Sequence, residues 1–113
     1  MVDLDVAVGR GCLDGAIEAA AYRIVQESLT NVIRHSGATH AAVTAGVRGD
    51  RLELVIADDG PGGRPVRPSS AGSGQGLVGM RERAGVLGGQ LTAGRGAAGG
   101  FLVRAVLPVR LDP

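Results

Sequence analysis

The sequence predicts a two-layer α/β sandwich: one mixed, mostly antiparallel sheet with helices on one face. Three observations predict it. Strand-like apolar runs outnumber helical ones. Most of those runs are joined in pairs by short turns, as in hairpins. Two helical stretches are set among them, where they can cover one face of the sheet.

The elements follow in order. Val2-Asp3-Leu4-Asp5-Val6-Ala7-Val8 alternates apolar and polar residues with the period of a strand. Gly9 to Gly15 reads as a loop. From about Asp14 to His35 the residues are good helix formers, with no Gly or Pro after Gly15; Asp14 is the candidate N-cap and Gly37, after Ser36, suits the C′ position. Ala41–Val47 and Arg51–Ile56 read as strands joined at Gly49-Asp50, a hairpin turn signal. Residues 60–76 form a Gly/Pro/Ser-rich stretch too long and too polar for a simple connector. Leu77–Leu87 predicts a second helix, stopped by Gly88-Gly89. Gln90–Ala93 and Phe101–Val109 are the last strands, around a glycine-rich turn at 94–100.

A length of 113 residues suits one domain, 1–113, with a modest core. Aromatic residues are 2% of the chain, so Leu, Val, Ile and Ala must build that core. There are 20 glycines, many between 60 and 100, which argues for loops shaped by backbone near a ligand, for mobile loops, or for both. The net charge is +1 with acids and bases interspersed, so neither a basic field nor an aromatic platform for nucleic acid is present. The one cysteine, Cys12, excludes an intrachain disulfide and a cysteine-rich metal site. No run approaches the ~20 apolar residues of a membrane span, and no signal peptide is apparent. The sequence reads as cytoplasmic, by itself or as the cytoplasmic part of a membrane-bound protein.

On the first helix, Glu27, Asn31, Arg34 and His35 project together, within about 100° of one another at 100° per residue. Ala21, Val25, Leu29 and Val32 cluster on the far side. A solvated face is one reading of the polar set. The other is chemical: Asn is a mediocre helix former but a neutral oxygen donor that suits Mg²⁺ beside phosphates. Arg34 and His35 would face the same phosphates, and Glu27 would orient a metal-bound water or accept a proton.

Two glycine clusters remain. Ala57-Asp58-Asp59-Gly60-Pro61-Gly62-Gly63 follows an apolar strand, either as a turn or as a carboxylate at a pocket whose glycines leave room for a ligand. Ser73-Gly74-Gln75-Gly76-Leu77 runs into a helix, where free N–H groups and the helix dipole favour an anion. Neither a P-loop nor a dinucleotide fingerprint is present.

Glu27-x-x-x-Asn31, Asp58-x-Gly60-x-Gly62 and Gly74-x-Gly76-Leu77 occur in one order, and together they resemble the N, G1 and G2 boxes of the GHKL ATPases, whose ATP-binding domain is the Bergerat fold. The resemblance covers roughly residues 2–109. Tyr22-Arg23-Ile24-Val25-Gln26-Glu27 and Gly76-Leu77-Val78-Gly79-Met80-Arg81-Glu82-Arg83 are similar to two-component sensor histidine kinases, in the subclass paired with NarL-type response regulators.

The resemblance implies ATP and Mg²⁺ as ligands. It implies that Asp58 accepts a hydrogen bond from the adenine amino group. Gly60 and Gly62 would let the backbone pass close to the base. Asn31 is implied as the Mg²⁺ ligand, with Glu27 beside it as a catalytic and metal-site residue. Arg34 and His35 match positions that reach the phosphates. Gly74, Gln75, Gly76 and Leu77 match the second glycine box, and residues 63–73 match the ATP lid. Ile33, Ile56, Leu77 and Met80 are candidate apolar contacts to adenine or core residues. Where many relatives carry Thr, this chain has Gly99-Gly100-Phe101, which argues against a Thr-held water; Phe101 reads as core.

Neither His35, followed by Ser36, nor His40, followed by Ala41, fits a phosphoacceptor motif of His with a following Asp or Glu. No dimerisation hairpin is present. The chain thus resembles the catalytic domain of a longer kinase, whose γ-phosphate goes to a histidine on a separate dimerisation domain and onward to a response regulator. No nucleic-acid or membrane contact is expected of this domain. A stand-alone serine kinase of the anti-sigma-factor type and a non-catalytic docking module are the alternatives.

Overall fold

The computed structural model describes residues 2–7, 13–32, 40–59, 73–95 and 100–110. The elements are β1 (Val2–Ala7), α1 (Gly15–Asn31), β2 (Ala41–Arg48), β3 (Arg51–Asp58), α2 (Ser73–Val86), β4 (Gln90–Arg95) and β5 (Phe101–Pro108). They form one five-stranded sheet in the order β1-β2-β3-β5-β4. Only β1–β2 is parallel, as its crossover through α1 requires; the other three pairs are antiparallel. The β2–β3 hairpin turns through Gly49-Asp50 with positive φ at Gly49 alone, the placement a II′ turn demands.

Period-two alternation sorts the sheet into two faces. Leu52, Leu54 and Ile56 of β3 are buried, as are Val103, Ala105 and Leu107 of β5. Register aligns Val43, Ile56 and Val103 across three strands. α1 lies over β3 and β5, and α2 over β4 and β5. Ile17 and Ile24 of α1 and Met80 and Ala84 of α2 complete the core. Leu4 and Val6 of β1 share the helix-side face with Val43 and Ala45, yet both are exposed, at the uncovered end of the sheet. On the opposite face Arg104 and Glu53 form an ion pair between β5 and β3.

α2 stops in a Schellman arrangement. Gly88 has φ +82 and its N–H donates to Gly85 O at 3.0 Å, while Gly89 N–H donates to Ala84 O at 2.8 Å. Gly89 then abuts β5, where a Cβ would lie 2.4 Å from Val106 O.

Three details differ from the sequence reading. α2 begins at Ser73, four residues before Leu77, so Gly74, Gln75 and Gly76 lie in its first turn. Asp14 occupies the N-cap of α1, but its side chain makes no cap hydrogen bond. Its main chain holds the position instead: its O accepts from Glu18 N–H, and its N–H donates to Val109 O at 3.0 Å. The buried stripe of α1 runs through Ile17, Ala21, Ile24, Ser28 and Val32, so Ala21 and Val32 of the expected apolar face are buried, whereas Val25 and Leu29 are half-buried at its flank. Docking of α1 over β3 and β5 turns the helix by about 60–100° from the orientation that Val25 and Leu29 suggest.

Candidate functional site

One end of the sandwich collects the chemically distinctive residues, for reasons of direction and length. Asp14, before α1, bonds Val109, and Val109 N–H donates to Asp50 O at 2.9 Å, beside the first residue of β3. α1 and β3 therefore start together. Seventeen helical residues span about 25 Å and eight strand residues about 27 Å, so Asn31 and Asp58 are carried to the same end. α2 finishes against Val106 and Leu107 at the opposite end and runs back over about 21 Å, bringing Ser73–Gly76 to the Asp58 end. A buried contact ties the helices there: Ser28 Oγ lies 3.7 Å from Met80 Sδ.

Asp58 is the last residue of β3 and is only 8% exposed. A carboxylate this buried needs hydrogen-bond donors. The Phe101 main-chain N–H supplies one, 3.2 Å from Oδ1. That approach requires Gly100, whose φ is +77 and where a Cβ would fall 2.0 Å from Asp58 O. Phe101 itself is half-buried and packs against the core, as expected.

Asp59 points the other way, by strand alternation, and is exposed. Its Oδ1 accepts from His40 N–H at 2.8 Å and its Oδ2 lies 3.2 Å from His40 Nδ1. The two adjacent carboxylates thus divide into one that faces the interior and one that fastens the strand end.

On α1, Glu27 and Asn31 are one turn apart and both half-buried. They border the buried stripe of Ile24 and Ser28 instead of forming a wholly solvated face. Glu27 also lines a groove of about 890 Å³ between the helices, with Arg23, Met80 and Arg83. Ile56 and Met80 are both 1% exposed and belong to the core cluster.

Gly74, Gln75, Gly76 and Leu77 are placed as backbone in the first turn of α2. Arg34, His35, Gly60, Gly62 and residues 63–72 lie outside the described residues, as do Ile33, Gly37, Gly99 and Cys12. The sequence reading missed Ser28, the Asp59–His40 pairing and the role of Gly100 beside Asp58. Gly100 carried a signal, because a second glycine directly before a strand marks close backbone approach. Ser28 carried none: a serine within a helix looks like a surface residue until its neighbour is known.

Comparison with known proteins adds to this geometry. Residues 16–111 match the family described as histidine kinase-, DNA gyrase B-, and HSP90-like ATPase. The histidine-protein kinase/phosphatase UhpB of Salmonella typhimurium is 38% identical over 89 residues, 79% of this chain and 17% of that protein. The sensor histidine kinase YxjM of Bacillus subtilis is 39% identical over 93 residues, 82% of this chain and 22% of that one. The histidine kinase domain of the Erythrobacter litoralis EL346 blue-light activated histidine kinase has the same fold, with TM-score 0.75 at 20% identity over 96% of this chain and 51% of that one. The chain belongs to the histidine kinase-, DNA gyrase B- and HSP90-like ATPase family. UhpB and YxjM are both histidine kinases by name, and the chain spans about a fifth of their length.

Proposed function

We propose that the chain is the catalytic, Mg-ATP-binding domain of a two-component sensor histidine kinase, acting in the cytoplasm. It supplies the γ-phosphate to a histidine on a separate dimerisation domain, from which a response regulator is phosphorylated. The buried Asp58 carboxylate at the end of β3, bonded by the Phe101 N–H at the start of β5, carries the reading.

The residues present suit the nucleotide. Asp58 is an acceptor in an enclosed position, and adenine offers an exocyclic amine that is purely a donor there; guanine does not. A carboxylate therefore selects the base. The first turn of α2, from Ser73 to Gly76, has N–H groups with no intrahelical acceptor and the positive end of the helix dipole, both suited to phosphate.

The donor set also suits magnesium. Among the described residues no three His, Cys, Asp or Glu gather into a metal cluster. A single neutral carboxamide, Asn31, fits an ion that takes most of its ligands from phosphate and water. Bound magnesium would supply charge neutralisation at the phosphates. Asn31 would hold it, Glu27 would orient a water beside it, and Arg34 and His35 would meet phosphate oxygens. Gly60 and Gly62 would pass the backbone close to the base, and residues 63–73 would close over the nucleotide and exclude solvent. Catalysis by such a domain is positioning and charge neutralisation. Among the described residues no helix is long and apolar enough to cross a membrane.

Calorimetric titration tests the reading. ATP with Mg²⁺ is expected to bind in the range of ordinary nucleotide sites, GTP far more weakly, and Asp58→Asn to lose the distinction. Equal binding of ATP and GTP, or no heat with either, would remove the assignment of Asp58.

A further inference from the structure

We propose that Asp59 is a positioning residue for the Asp58 carboxylate, acting as a side-chain cap on the last rung of the β2–β3 ladder. Its effect on nucleotide affinity rests on the reading of this site as an ATP pocket; its effect on Asp58 geometry does not.

Ala41 and Asp58 are the final pair in the strand register, so His40 and Asp59 form the next rung. In an antiparallel ladder the residues of a hydrogen-bonded rung exchange two main-chain bonds. One is present: Asp59 N–H donates to His40 O at 3.1 Å. The return bond runs from His40 N–H to the Asp59 side chain, with Oδ1 at 2.8 Å. Oδ2 of the same carboxylate meets His40 Nδ1 at 3.2 Å. A side chain that completes the rung holds Asp59 to His40 one residue beyond the last registered pair.

The consequence falls on Asp58. Its inward direction follows from alternation against Asp59, and alternation holds only where the strand is still in register. With the rung open, β3 would fray back to Asp58, and Oδ1 would leave the Phe101 N–H at 3.2 Å. His40 and Asp59 are both about half exposed, so neither residue contributes much to the core. Their value lies in ending the strand at a defined residue.

Asp59→Asn keeps an acceptor for the His40 N–H. Asp59→Ala removes it. Asp59→Glu keeps the charge and moves the acceptor by one methylene. Two readouts apply: ATP affinity by titration, and the amide resonance and hydrogen exchange of Phe101. Asp59→Ala is expected to shift and deprotect the Phe101 amide and to weaken ATP roughly tenfold, the scale of one lost hydrogen bond. Asp59→Asn is expected to stay within about twofold of the parent, as surface changes without a lost contact do. Asp59→Glu should perturb Phe101 despite its charge. If the parent binds no ATP, the pocket reading fails and the Phe101 amide still decides the matter. An unperturbed Phe101 amide in Asp59→Ala and Asp59→Glu, or an Asp59→Asn protein as weak as Asp59→Ala, would overturn the proposal.

Discussion

The Phe101 main-chain N–H reaches Asp58 Oδ1 at 3.2 Å because Gly100, immediately before it, has no Cβ and a φ of +77. The first residue of β5 and the last of β3 are thereby joined at the most buried carboxylate described in the chain.

Gly100→Ala should therefore be costly. The added Cβ would sit 2.0 Å from Asp58 O and 3.1 Å from Oδ1, and the backbone would be held in the left-handed region. A loss of about 2 kcal/mol or more in urea unfolding is expected, from overlap and backbone strain combined. Gly46→Ala is the control: a Cβ there meets nothing within 4 Å and φ is not positive. Its effect should stay within about 0.5 kcal/mol.

Met80→Ala and Ser28→Ala should separate sharply, although the two side chains touch. Met80 is 1% exposed within the core cluster, and its truncation should cost about 2–4 kcal/mol. Among the described residues the Ser28 hydroxyl meets a thioether at 3.7 Å, a weak acceptor, so its removal should change stability by less than about 1 kcal/mol. Thermal or urea denaturation of both variants checks this order, and a Ser28→Ala protein as unstable as Met80→Ala would contradict it.

At the end of α2 the two glycines serve different ends. Gly88→Ala meets open space and bears only the left-handed backbone, about 1 kcal/mol. Gly89→Ala would press a methyl to within 2.4 Å of Val106 O and 2.7 Å of Leu107 Cδ2. It should destabilise by roughly twice as much or more, since β5 cannot yield without disturbing its ladder. Denaturant midpoints of the pair read the difference directly.

Asn31→Ala should leave the fold intact, because Asn31 is half-buried at the last residue of α1 and outside the core cluster. ATP binding should lose its Mg²⁺ dependence, and phosphotransfer to a supplied acceptor domain should fall by on the order of a hundredfold, as for loss of one charge-stabilising group. Full Mg²⁺-dependent activity in the variant would rule out Asn31 as the ligand.

Much of this was legible in the sequence. The alternation of β2 and β3, the Gly49-Asp50 turn and the Gly88-Gly89 stop are local signals, and each forms as local chemistry dictates. The start of α2 was misjudged because glycines are poor helix formers, yet in a first turn their N–H groups need no helical acceptor. On α1, Ala21 and Val32 are buried on the expected apolar face, while Val25 and Leu29 sit at its edge and Ser28, less apolar than either, is buried beside Met80.

The sequence by itself determined the element order and the class of sheet and helix layering, and it offered Asp58 and Asn31 as candidates through their resemblance to family motifs. These depend on spacing along the chain. Only the tertiary structure decided that β5 lies between β3 and β4, which brings Phe101 to Asp58 over 43 residues of sequence. It also decided which of two adjacent aspartates faces inward and which closes the strand on His40. Both follow from strand register, which is settled by contacts between segments distant in sequence.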